Sequence, residues 1–127
     1  MSRRIIHTDQ APSAVGPYSQ GTVAGRFLFT SMQIALDPES GEIVGSTAPE
    51  QMRQCLQNIA AIVRAADGQL PHVVKTMVYL TDMAQFAAIN KVYAEFFPDE
   101  PPPRGVVEVP ALPKGALVAV EAIAQIK

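Results

Sequence analysis

Two residues with the means to do chemistry stand in unusual settings in the last quarter of this chain, Arg104 and Glu121. Arg104 follows Pro101-Pro102-Pro103, whose fixed φ angles hold the backbone extended, so its side chain leaves a stiff arm at the start of a predicted strand. Glu121 interrupts Leu117–Ala124, a run that is otherwise apolar and β-prone, as in a strand buried on both faces. A carboxylate there is costly unless it is paired, hydrated or put to use. These two residues alone leave three readings open: a structural ion pair, two charges facing water, or two members of a site. Further polar residues stand out less sharply. Tyr18 projects from Gly16-Pro17-Tyr18-Ser19, a loop of turn-forming residues, where a ring packed on the core with its hydroxyl in water competes with a ligand contact. Ser31 and Gln33 lie where an aromatic strand face turns polar, and Asn90 is the odd amide on an apolar helix face.

Much other chemistry is disfavoured. The only histidines, His7 and His72, lie at no ligand-like spacing from a carboxylate or from the single cysteine, so no metal is expected. There is no glycine-rich phosphate loop and no G-x-S-x-G elbow. What remains is cofactor-free chemistry, or binding alone. A net charge of −2 with scattered basic residues offers no footprint for a phosphate backbone, which argues against a nucleic-acid partner. Cys55 has no second cysteine to pair with, Met1–His7 lacks the apolar run of a signal peptide, and no stretch reaches transmembrane length. A cytoplasmic protein without a membrane partner is expected. At 127 residues and 48% apolar content, the chain is predicted to form one domain, residues 1–127, around a single core.

The elements that must position these residues follow from periodicity. Arg4–Thr8 predicts a first strand, and Gln20–Val23 with Phe27–Ala35 predicts a hairpin across Ala24-Gly25-Arg26. Thr47-Ala48-Pro49-Glu50 has the form of a capping box. It opens a helix whose buried stripe is Met52, Cys55, Leu56, Ile59, Val63 and Ala66, with Gln51, Arg53, Gln54, Gln57 and Arg64 left to solvent and Asp67-Gly68 at its end. Val73–Leu80 reads as a strand with Val74, Thr76, Val78 and Leu80 on one face and Val73, Lys75, Met77 and Tyr79 on the other. Asp82–Gln85 predicts a second capping box and a helix from Phe86 to Phe97 that ends at Pro98, before strands beginning at Arg104 and Leu117. Two helices on one face of a mixed sheet give an α+β sandwich. Several strands are apolar on both faces, and two helices can cover only one, so self-association is the simplest way to bury the other.

In these same segments the sequence resembles the Rid family of reactive enamine/imine deaminases, also called the YjgF family. The matching stretches are Ala11-Pro12 to Gly16–Gln20, Phe29–Ile34, Asp37-Pro38 with Gly41–Val44, Val74-Lys75-Thr76, Tyr79–Met83, Asn90–Tyr93, Pro103-Arg104 and Leu112–Val118 with Glu121-Ala122. They run in register over nearly the whole chain. The resemblance implies a chorismate-mutase-like fold assembled as a homotrimer, with clefts between neighbouring subunits and no cofactor. It implies hydrolysis of 2-aminoacrylate and related enamines or imines to 2-keto acids and ammonia. It also implies roles by position: Arg104 binds the substrate carboxylate, Glu121 attends the water, and Tyr18, Ser31 and Asn90 line the pocket.

Two departures bear on the substrate. Met32 stands where the family usually has glycine in Ser-Gly-Gln, and Gly105-Val106 replaces Ser-Cys after the arginine. Met32 adds a long flexible side chain that narrows or reshapes a pocket. Gly105 and Val106 remove a hydroxyl and a thiol but keep backbone N–H groups able to hold a carboxylate. The rival class is a non-catalytic trimer that binds small carboxylates such as keto acids; Met32 is the feature that favours it. A ribonuclease role sits poorly with the acidic balance.

Overall fold

The computed structural model describes residues 2–126. Six strands, β1 (Arg3–Ile6), β2 (Gly21–Ala24), β3 (Phe27–Thr30), β4 (Val73–Leu80), β5 (Arg104–Glu108) and β6 (Val118–Gln125), form one sheet in the order β1-β2-β3-β6-β4-β5. Two helices, α1 (Ala48–Ala65) and α2 (Phe86–Phe96), complete the α+β architecture, and the order of elements is the one the periodicity predicts. All neighbouring strands are antiparallel except β4 and β5. A parallel pair needs a crossover, which α2 and the proline arm supply. The arm therefore does more than stiffen Arg104: it returns the chain to the sheet edge in register with β4.

The core lies between the sheet and the helices. Met52, Cys55, Leu56, Ile59, Ile62 and Val63 of α1 are fully buried, as are Leu28, Val78, Leu80, Val118 and Val120 from the sheet. The capping box forms as predicted: Glu50 N–H donates to Thr47 Oγ1 at 3.3 Å, and the Glu50 carboxylate accepts from Thr47 N–H at 3.2 Å. Burial pushes the Cys55 thiol well above its usual pKa, in keeping with a packing residue.

Several expected details are corrected. Strand β1 stops at Ile6 because Thr8 is tied instead to the buried Gln20 side chain, which accepts from Thr8 N–H at 2.7 Å and donates to Thr8 O at 3.0 Å. Gln51 is buried, since it donates to Gly45 O at 3.1 Å and accepts from Leu117 N–H at 2.8 Å. Helix α1 ends with Asp67, not Gly68, in the left-handed region, at φ 64. Asp82 caps a short 3₁₀ turn through Ala84 N–H at 2.9 Å, and α2 begins only afterwards, at Phe86. In β4 a register shift between Val73 and Lys75 leaves Val73, Thr76 and Val78 facing the helices, with Val74 exposed. Strand β3 breaks at Thr30, and that break shapes the candidate site.

The sheet face away from the helices is open. Phe27 and Phe29 are each about two-fifths exposed there, where a monomer would leave aromatic surface in water.

Candidate active site

Arg104 is the first residue of β5 and pairs with Thr76, so both side chains project to the helix side. There its guanidinium donates from Nη1 to Asn90 Oδ1 at 2.8 Å. Its central carbon lies 4.6 Å from the centre of the Tyr93 ring and 5.5 Å from that of Phe86. Tyr93 is itself fixed by a 2.7 Å hydrogen bond between its hydroxyl and Thr76 Oγ1, and burial raises its phenol pKa. Asn90 is thus explained as the amide that aims the guanidinium, while two aromatic faces hold it by cation–π attraction. The one salt bridge among the described residues joins Arg53 to Glu95. Arg104 has no carboxylate partner among the described residues, so the ion-pair reading of Arg104 and Glu121 fails here.

Glu121 lies on the opposite face of the sheet. It pairs with Met77, whose side chain alternates with the inward Thr76 and Val78. The Tyr79 hydroxyl donates to Glu121 Oε1 at 2.6 Å, and this bond to the carboxylate holds the Tyr79 phenol above its usual pKa. Beside Glu121 the neighbouring strand is broken. The β3–β6 register ends at Phe29 opposite Ile123, and contact resumes as an isolated bridge between Gln33 and Val120. Continuing the register by one step sets Thr30 against Ala122, whose N–H donates to Thr30 Oγ1 at 3.0 Å. Ser31 and Met32 together then span the single residue Glu121, which is a β-bulge. Asn58 pins the chain beyond the bulge by donating to Ile34 O at 3.3 Å and Leu36 O at 3.0 Å.

The bulge borders a cavity of about 410 Å³ lined by Tyr18, Ser31, Met32, Ile34, Leu36 and Lys114. Met32 is 38% exposed and faces this space, not the core. Tyr18 is half exposed and accepts from Val15 N–H at 3.4 Å, and the Ser31 hydroxyl donates to Ser19 O. Ser31 therefore has no base to activate it as a nucleophile. Neither Arg104 nor Glu121 lines this cavity.

The two residues after Arg104 differ in what they present. Thr76 N–H donates to Pro103 O at 3.1 Å and Val109 N–H to Leu80 O at 2.7 Å, which fixes the phase of the β4–β5 ladder. In that phase the N–H of Gly105 turns into the sheet and that of Val106 turns outward, onto a free edge beside Arg104. Of these two residues, only Val106 has an N–H to offer a ligand. Gly105 faces Met77 across the pair, and a Cβ added at Gly105 would lie 2.5 Å from Met77 Sδ. The space that a side chain at 105 would take is thus held by the Met77 thioether. Sequence reading did not assign site roles to Met77, Tyr79, Phe86 or Tyr93; an arginine or carboxylate beside an aromatic is visible only once the sheet register is known.

Residues 8–126 match the sequence profile of the family described as endoribonuclease L-PSP. A RutC family protein of Pyrococcus horikoshii is 50% identical over 122 residues, covering 96% of this chain and 97% of its own. The human 2-iminobutanoate/2-iminopropanoate deaminase is 41% identical, over 96% of this chain and 89% of its own. This chain belongs to the Rid family. Its fold also matches a solved structure: the crystal structure of Escherichia coli TdcF with bound serine superimposes with a TM-score of 0.93 at 42% identity, covering 98% of this chain and 99% of that one. Rid relatives thus include proteins named as imine deaminases and others named only by family.

Proposed function

We propose that this protein hydrolyses small α-imino acids and their enamine tautomers, such as 2-aminoacrylate, to 2-keto acids and ammonia. The observation that carries the reading is the Arg104 guanidinium, aimed by Asn90 and two rings and without an anionic partner among the described residues. Such a group is preorganised for a planar carboxylate, which accepts two parallel N–H bonds from it. Val106 N–H on the adjacent edge is a further donor. The serine bound to E. coli TdcF carries a carboxylate of this kind, which supports the same assignment here.

With the carboxylate held, the imine carbon is already electrophilic and needs a placed water and proton transfer. Glu121 takes a proton from the water as the water oxygen bonds to the imine carbon, the C=N electrons move to nitrogen, and Glu121 hands that proton to the nitrogen, which restores the carboxylate. In the resulting carbinolamine the hydroxyl proton returns by way of Glu121 to the amine. The C–N bond then breaks, the carbonyl forms and ammonia leaves. No covalent nucleophile is required.

Arg104 and Glu121 lie on opposite faces of one sheet, so a site using both draws them from two copies of the chain. Assembly as a trimer through the open faces brings the Arg104 edge of one copy against the Glu121 face of the next and buries Phe27 and Phe29. The specific feature that favours a second reading, a binding module without turnover, is Met32 in the cavity. The test generates 2-aminoacrylate with a dehydratase and follows keto-acid release. Release faster than the spontaneous rate, in proportion to added protein, is expected; binding of keto acid with no acceleration overturns the enzymatic reading in favour of the module.

A further inference from the structure

The Rid-family assignment leaves unexplained what aims the carboxylate at 121. Glu121 projects from a sheet face with no arginine, lysine or histidine bonded to it among the described residues, and a glutamate with free rotamers makes a poor base. Tyr79 supplies the missing constraint. It sits on β4 opposite Ala119, one step along the same face from Met77, the residue opposite Glu121. That diagonal separation is within reach of an aromatic side chain, and the alanine opposite leaves room for the ring to cross. The phenol ends 2.6 Å from Oε1, in the range of a charge-assisted bond. No donor among the described residues reaches Oε2.

We infer that Tyr79 is a positioning residue for Glu121: it fixes Oε1 and leaves Oε2 turned to the attacking water. The inference rests on the deaminase reading and adds to it a third strand, β4, as part of the site. Tyr79 touches no reacting atom and holds no substrate carboxylate, so its loss acts on the chemical step and not on binding. The bond also keeps the carboxylate from folding back on the open face, which matters where a second copy is to cover that face.

The experiment is steady-state kinetics of wild type, Tyr79→Phe and Tyr79→Leu in the dehydratase-coupled assay, with thermal melts. Both variants should lower kcat by about tenfold, leave KM within about twofold and melt close to wild type. A merely structural tyrosine would leave kcat unchanged or alter KM and melting together, and either result overturns the inference. An active wild type with fully active variants overturns the role of Tyr79 alone, whereas an inactive wild type overturns the deaminase reading and this inference with it.

Discussion

At the scale of single residues, Arg104 is held by interactions that a lysine cannot copy. The guanidinium donates to Asn90 while lying over Tyr93, and a planar fork is needed to make two parallel bonds to a carboxylate at the same time. Losing a hydrogen bond to a charged group costs about 1.5–3 kcal/mol, so Arg104→Lys should lower kcat/KM at least about tenfold. Arg104→Ala should lose more yet melt near wild type, because the arm is set by its prolines and by Pro103 O accepting from Thr76 N–H. Near wild-type turnover by a folded Arg104→Ala protein would remove Arg104 from the mechanism. Arg104 could be singled out in the sequence because three prolines announce a fixed backbone, and Glu121 because one charge breaks an apolar run. Tyr79 and Tyr93 could not, since a tyrosine in a strand or on a helix face looks like ordinary packing until its hydroxyl has a partner.

At the scale of elements, the register between β4 and β5 couples Gly105, a departure from the Rid pattern, to Met77. Met77 lies across from Gly105, with its sulfur 2.5 Å from where a Cβ would stand, so a side chain at 105 requires Met77 to swing aside on the face that carries Glu121. A thioether is flexible enough to yield, and a non-glycine residue favours the strand, so Gly105→Ser should change stability by no more than about 1 kcal/mol. Its effect on kcat/KM should depend on Met77. Gly105→Ser alone displaces the thioether toward the site, whereas Gly105→Ser in a Met77→Ala background displaces nothing, and a double-mutant cycle should show coupling of about 0.5–3 kcal/mol. Strictly additive effects would mean that Met77 has room elsewhere. The existence and order of all eight main elements were legible because each carries its period in its own residues. The breaks were not. The β3 bulge at Ser31-Met32, the shift at Val74 and the burial of Gln51 all arise from partners far off in sequence, Val120, Ala124 and Leu117 among them.

At the scale of the whole molecule, the two residues proposed for catalysis point away from each other. Arg104 turns to the helix side beside α2, Glu121 to the open face beside Tyr79, and one chain cannot wrap a small substrate around its own sheet. The surplus of apolar strand residues was readable in the sequence and implied a covered second face; which site residues end up on that face was not, because it depends on where β5 joins the sheet. If copies meet so that each cleft takes Arg104 from one and Glu121 from the next, light scattering at micromolar concentration should give a trimer. Variants at the two positions should then complement. Arg104→Ala and Glu121→Gln trimers should each be nearly inactive alone. After the two are unfolded together and refolded as a one-to-one mixture, a cleft is intact whenever its arginine comes from a Glu121→Gln chain and its glutamate from an Arg104→Ala chain. Random assembly makes that about a quarter of all clefts, so activity should return to roughly a quarter of wild type, whereas sites contained in one chain would give none. Refolding the variants separately and mixing them afterwards controls for exchange. A refolded mixture confirmed to contain mixed trimers and still inactive would place both residues in one chain's site or remove one of them from it.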